Sequence, residues 1–104
     1  MKKFEDGYIM ISIEERAMLV NLILKELRIE KGYTQQQVAE IIGKSQREIW
    51  RYEQPGYKVS PEILIWLSEV YHSSLDCIFG YVNDPVKTKA IQKLENLKIK
   101  DTWI

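Results

Sequence analysis

An all-α fold is predicted by three features of this 104-residue chain. Three S/T-x-x-E/Q boxes, Ser12 with Glu15, Thr34 with Gln37 and Ser45 with Glu48, mark helix starts. In each, the hydroxyl accepts a freed backbone N–H and the later side chain reaches back to the cap. Two further starts set a capping residue before proline, Ser60-Pro61 and Asp84-Pro85, where the missing proline N–H costs nothing. Between these starts apolar residues recur at helical spacing, as in Val20, Leu24 and Leu27.

Three regions follow: an arm over residues 1–11, a domain over 12–83, and a last helix with its tail over 84–104. The arm mixes charge, one glycine and scattered apolar residues without a clear period. The first helix runs from Ile13 to a stop at Gly32. It carries Met18, Leu19 and Ile23 beyond what one buried stripe needs, so either the arm or another subunit is expected to cover them.

The stretch 34–53, TQQQVAEIIGKSQREIWRYE, is the centre of the chain. Its two capping boxes start helices about eleven residues apart, and Gly43 between them supplies the positive φ that ends the first. The second helix therefore leaves at a steep angle, which is a helix-turn-helix. Val38 and Ile42 share one face of the first helix, Ile49 and Tyr52 one face of the second, and the small Ala39 marks the crossing. Gln46, Arg47, Trp50 and Arg51 are left on the outer face of the second helix, available to a partner.

Beyond the turn Gln54-Pro55-Gly56 and the loop residue Lys58, a fourth helix runs to about Tyr71 with Leu64, Leu67 and Tyr71 towards the core and Trp66 outside. His72 takes the helix-ending position, Ser74 caps a fifth helix over Leu75 to Phe79, and Gly80 closes it. The last helix, Val86 to about Ile99, places Ala90, Leu94 and Leu97 at coiled-coil-like spacing. That stripe fits either packing on its own domain or a dimer contact. Trp103 and Ile104, both large and apolar, are expected to dock on something.

This order of residues resembles the lambda repressor and Cro-like (Xre-type) helix-turn-helix family over roughly residues 18–83. The likeness is carried by Leu27-Arg28 to Lys31-Gly32, Thr34-Gln35, Ala39, Gly43, Ser45, Ile49 and Arg51-Tyr52-Glu53, then Ser60-Pro61-Glu62, Ser74-Leu75-Asp76 and Phe79-Gly80. Lys44 stands where the family usually has an apolar residue, Trp50 where it has something small or polar, and Trp66 where it has lysine. The resemblance implies an all-α, five-helix lambda-repressor-like DNA-binding domain, here with an N-terminal arm and an extra C-terminal helix. It also implies a transcriptional regulator, a repressor, that binds a roughly palindromic operator in double-stranded DNA as a homodimer. Arg28 matches a family arginine that pairs with the glutamate after the recognition helix, here Glu53. Such a pair fixes the angle between the first and third helices and is read as scaffold.

The chemistry of the outer face agrees with that reading. Gln46 can read adenine and Arg47 guanine, Arg51 can reach a base or a phosphate, and Trp50 can pack on sugar or a thymine methyl. Gln35, at a helix N-terminus, and Lys44 suit phosphate. For Lys58 two readings stand, a phosphate contact or a solvated loop residue.

Charge argues the other way, since 15 basic and 15 acidic residues cancel. The distribution is uneven. Residues 43–58 hold Lys44, Arg47, Arg51 and Lys58 against Glu48 and Glu53, whereas residues 59–80 hold Glu62, Glu69 and Asp76 with no Lys or Arg. The reading face is thus locally basic and the far end acidic. Zero net charge favours the alternative, a protein-interaction module such as an antitoxin or antagonist partner using Trp50 and Trp66.

An enzyme finds no support: one His, one Cys, no G-x-S-x-G, no Walker loop and no paired metal-ligand motif leave no catalytic or metal residues to name. No cofactor and no small-molecule effector is expected. The single Cys77 cannot form an internal disulfide, no cationic leader opens the chain, and its apolar runs fall short of the roughly 20 residues of a membrane span. A cytoplasmic setting without membrane contact is expected.

Overall fold

Hydroxyl side chains of Ser12, Thr34, Ser45, Ser60 and Ser74 each accept the backbone N–H three residues on, and a helix starts behind every one. The computed structural model describes residues 2–3 and 9–102, and the side chains of residues 11–98. Its helices are α1 (Ile13–Glu30), α2 (Gln35–Ile42), α3 (Gln46–Tyr52), α4 (Pro61–Val70), α5 (Leu75–Ile78) and α6 (Pro85–Thr102). At the start of α6 the Asp84 carboxylate accepts the Lys87 N–H at 2.8 Å. The fold is all-α but for a short antiparallel pair in the arm, β1 (Lys2–Lys3) with β2 (Ile9–Met10), in which Lys2 faces Met10 and Lys3 faces Ile9. The sequence shows no period that announces this pair. Trp103 and Ile104, expected to dock, lie outside the described residues.

α1 is the centre of the core. Six consecutive residues, Leu19 to Leu24, are buried, so the helix is enclosed on every side over that turn and a half. Cover over this helix comes in large part from a source the sequence does not announce, while Ile11 at the end of the arm packs half-buried on the same cluster. The cover comes from within the chain: α6 packs along α1, and Val86, Ala90 and Leu94 are buried there, the last two completely. Met18 and Leu97 pack half-buried against the same cluster. Of the two readings left open for the last helix, packing on its own domain is the one observed, and its apolar stripe is no longer available to a partner. Ion pairs Glu26–Lys93 and Glu15–Lys98 cross the same helix pair, the second at 2.7 Å.

The end of α5 closes over α1 in a way that admits only glycine. Gly80 has φ +80, and a Cβ there would stand 2.7 Å from a methyl carbon of Leu19. Arg16, which nothing in the sequence singles out, donates to the carbonyls of Phe79 (2.9 Å) and Gly80 (3.2 Å) and lies over the Tyr81 ring at 4.5 Å. It satisfies carbonyls that the last turn of α5 leaves unpaired.

Candidate nucleic-acid interface

Gly43 ends α2 at φ 71, and the Lys44 N–H bonds back to the Ala39 carbonyl at 2.9 Å. The left-handed residue turns the chain sharply enough for Ser45 to cap α3 two residues later. α2 and α3 cross with Val38, Ala39 and Ile49 essentially inaccessible between them and the core. Ala39 is the close-approach residue.

Packing Ile49 and Tyr52 inwards turns the opposite side of α3 to solvent. Gln46, Arg47, Trp50 and Arg51 are all exposed there, with Trp50 at 49%. Lys44 and Lys58 are exposed on the flanking turn and loop. The two acidic residues of this region are each engaged. Glu48 accepts the Ser45 N–H at 2.8 Å, and that backbone hydrogen bond holds its carboxyl below the usual value. Glu53 is buried and paired with Arg28, a residue outside the segment. Glu48 keeps its negative charge, whereas that of Glu53 is met by Arg28, so the exposed charge around α3 is more positive than the residue count of 43–58 suggests by that one paired carboxylate.

The Arg28–Glu53 contact is bidentate. Arg28 Nε donates to Oε2 at 2.7 Å and Nη2 to Oε1 at 3.1 Å, while Nη1 donates to the Tyr33 carbonyl at 3.0 Å. The guanidinium is thus anchored to α1, to the α1–α2 turn and to the end of α3, and its hydrogen bond to Glu53 raises its pKa above the ordinary value. The same Glu53 Oε1 accepts from the Gln35 side chain at 3.0 Å, and the Gln35 carbonyl oxygen accepts from the Gln46 amide. Gln35 and Gln46, assigned separately to phosphate and base from sequence, are joined side chain to side chain. Lys44, Arg47, Trp50, Arg51 and Lys58 make no hydrogen bond through their side chains among the described residues.

A second clamp was not foreseen. Asn21, fully buried on α1, donates to the carbonyls of Tyr52 (2.7 Å) and Tyr57 (2.9 Å) and accepts the Gly56 N–H at 3.0 Å. One amide thereby ties the C-terminal end of α3 and the loop before Lys58 to the central helix. A signal was present in the sequence: a single polar residue inside the apolar run Val20-Asn21-Leu22-Ile23-Leu24. A polar group at a core position is retained where its hydrogen bonds are met.

Two short helices packed together across the left-handed Gly43, the second with an exposed basic face and braced at both ends, are those of a DNA-binding helix-turn-helix protein. The chain belongs to the helix-turn-helix family of Xre and lambda repressor-like regulators, which matches it over residues 24–76. Comparison with curated proteins and with solved structures returns no match. Its place is in transcription regulation. Among the described residues no helix is long and apolar enough to cross a membrane, and no group of three or more His, Cys, Asp or Glu could hold a metal ion.

Proposed function

We propose that the protein is a sequence-specific regulator that lays α3 in the major groove of double-stranded DNA and represses by occupying its operator. The observation that carries this reading is the outer face of α3, where Gln46, Arg47, Trp50 and Arg51 stand exposed while both nearby carboxylates are engaged. Gln46 and Arg47 belong to the first turn, where side chains meet base edges once the helix N-terminus enters the groove. Arg51 stands one turn on, within reach of base or phosphate, and Trp50 packs on sugar or a thymine methyl. Lys44, Lys58 and the N-terminal turn of α2 at Gln35 serve the phosphates.

Alanine at Arg47 is expected to cost about 1–3 kcal/mol of binding and to relax preference at one base pair, because a bidentate guanine contact is lost. Alanine at Lys58 is expected to weaken all sequences alike and to lower the salt slope by about one phosphate. Binding isotherms on a panel of singly altered duplexes at several salt concentrations separate the two outcomes. If alanine at Arg47 and at Arg51 leaves affinity and preference unchanged, α3 is not the reading element. A chain that binds neither heparin nor random duplex at low salt would favour the protein-interaction reading instead.

A homodimer on a roughly palindromic site follows from the small area one module offers, with the two α3 helices about 34 Å apart. Of the surfaces the sequence offered for this contact, Leu19, Ile23, Ala90 and Leu94 are buried and Met18 and Leu97 half-buried, whereas Trp66 is 44% exposed beside exposed Ile41 and Ile65. Trp66 shares a groove with Ile41, Ile42, Glu69 and Val70 between α2 and α4. Sedimentation on a preferred duplex is expected to show two chains, and Trp66→Glu to reduce this to one. A monomer in both states would exclude the dimer.

A further inference from the structure

α2 and α4 leave a groove between them, a cavity of about 280 Å³ lined by Ile41, Ile42, Trp66, Glu69 and Val70. Ile41, Ile65 and Trp66 stand exposed at or beside it, and large apolar side chains gathered in one place mark an interaction surface. The charge here is of one sign. Glu62, Trp66 and Glu69 follow one another on α4 at i, i+4 and i+7, with Ile65 three residues after the first carboxylate and four before the second. Two carboxylates roughly 10 Å apart along the helix thus frame an apolar pair. Both are exposed, and neither enters an ion pair among the described residues. α2 and the stretch 59–86 contain no Lys or Arg, so neither helix of the groove offers a cation to offset them. DNA is not the partner of this face, since its phosphates would meet carboxylates, and the groove contains no residue of α3. A second copy of the chain reaches the same face only by setting carboxylates of one sign against each other. Nor can the lysine-rich α6 of a second copy fill the groove, because its apolar side, with Ala90 and Leu94, is buried on α1.

We propose that this groove docks a basic amphipathic helix of another protein, one with Lys or Arg at i and i+7 and apolar residues at i+3 and i+4. The apolar pair enters the groove against Ile41, Trp66 and Val70, and the two cations meet Glu62 and Glu69. The pattern reads the same in either direction along α4, so the helix can lie parallel or antiparallel to it. The docked helix and a second copy exclude each other at Trp66, and the helix has the advantage of neutralising the carboxylates that two copies bring together. Docking therefore dismantles the dimer and loosens the hold on DNA without touching the outer face of α3. That consequence, unlike the docking itself, rests on the dimer reading given above.

The test uses the full chain and a fluorescein-labelled synthetic helical peptide with Lys at i and i+7 and Leu at i+3 and i+4 in an Ala-Gln background, read by anisotropy. Binding is expected, and is expected to weaken as salt rises. A peptide of the same composition with its Lys and Leu scattered around the helix is expected to bind far more weakly. Glu62→Gln combined with Glu69→Gln is expected to lower affinity by about fivefold or more, and Trp66→Ser to do the same. Asp76→Asn, which removes an exposed carboxylate outside the groove, is expected to change nothing. Glu62→Lys combined with Glu69→Lys is expected to reject this peptide and to accept one with Glu in place of its lysines. Equal affinity for the scattered peptide, full affinity in the doubly neutralised chain, or an equal loss in Asp76→Asn overturns the proposal. So does a wild-type chain that binds no peptide; if Trp66→Ser then also turns a dimer into a monomer, the groove belongs to a second copy. Sedimentation with saturating peptide reads the consequence, and is expected to show one chain where the free protein shows two. A chain that binds the peptide but is a monomer throughout keeps the docking and loses the dimer reading.

Discussion

Replacing Arg28 with methionine is expected to lower stability by about 3–5 kcal/mol, the range for removing one partner of a buried ion pair. The side chains of Arg28 and Glu53 are only 12% and 2% exposed, so the carboxylate left behind has little access to water. The loss reflects that stranded charge more than the attraction removed. Converting Glu53 as well, to leucine, is therefore expected to recover a good part of the stability, since an apolar pair of similar volume carries no desolvation cost. Urea unfolding at constant m value measures both steps. A single-variant loss below about 1 kcal/mol, the range of an exposed pair, would show that water reaches the site.

Asn21→Leu is the second large expectation. The volume is nearly kept, but the Tyr52 and Tyr57 carbonyls and the Gly56 N–H lose their partner together. Unmet buried groups cost about 1–3 kcal/mol each, and the loop can admit water to some of them, so a total on the order of 3 kcal/mol is expected. Amide hydrogen exchange at Gly56 should rise more than at the α2–α3 turn, because the clamp acts on the far end of α3. DNA binding should weaken with it. A variant with wild-type exchange at Gly56 would show that the loop holds its shape without Asn21.

What was legible in the sequence was local. A capping box closes within four residues, so Ser12, Thr34 and Ser45 each announce a helix start without reference to the rest of the chain. Gly43 and the outer face of α3 were legible for the same reason. Features that depend on distant partners were not. Asn21 meets its partners 31 and 36 residues away, and only its intrusion into an apolar run hinted at them. The Gln35–Gln46 contact joins residues that the sequence offers as two separate polar side chains, and the role of Glu53 between Arg28 and Gln35 appears only when α1, α2 and α3 meet. The stripe of α6 was visible, but apolar spacing is the same whether the partner helix belongs to the same chain or to another. Burial of Ala90 and Leu94 against α1 decides that question, and no pattern in the sequence could.

The packing of α6 on α1 has a kinetic consequence. The ion pairs across it join residues 67 and 83 positions apart, whereas α2 and α3 are neighbours in the chain. Closing a long loop must be met by chain entropy before its contacts contribute anything, so short-range pairs form ahead of it. During synthesis α1, α2 and α3 leave the ribosome well before residue 85, and for that interval the flank of α1 that α6 will bury has no cover. The helix-turn-helix can therefore take shape on a nascent chain whose core is still open on one side, and that open flank, rather than the outer face of α3, is where such a chain is exposed to chaperones and to aggregation.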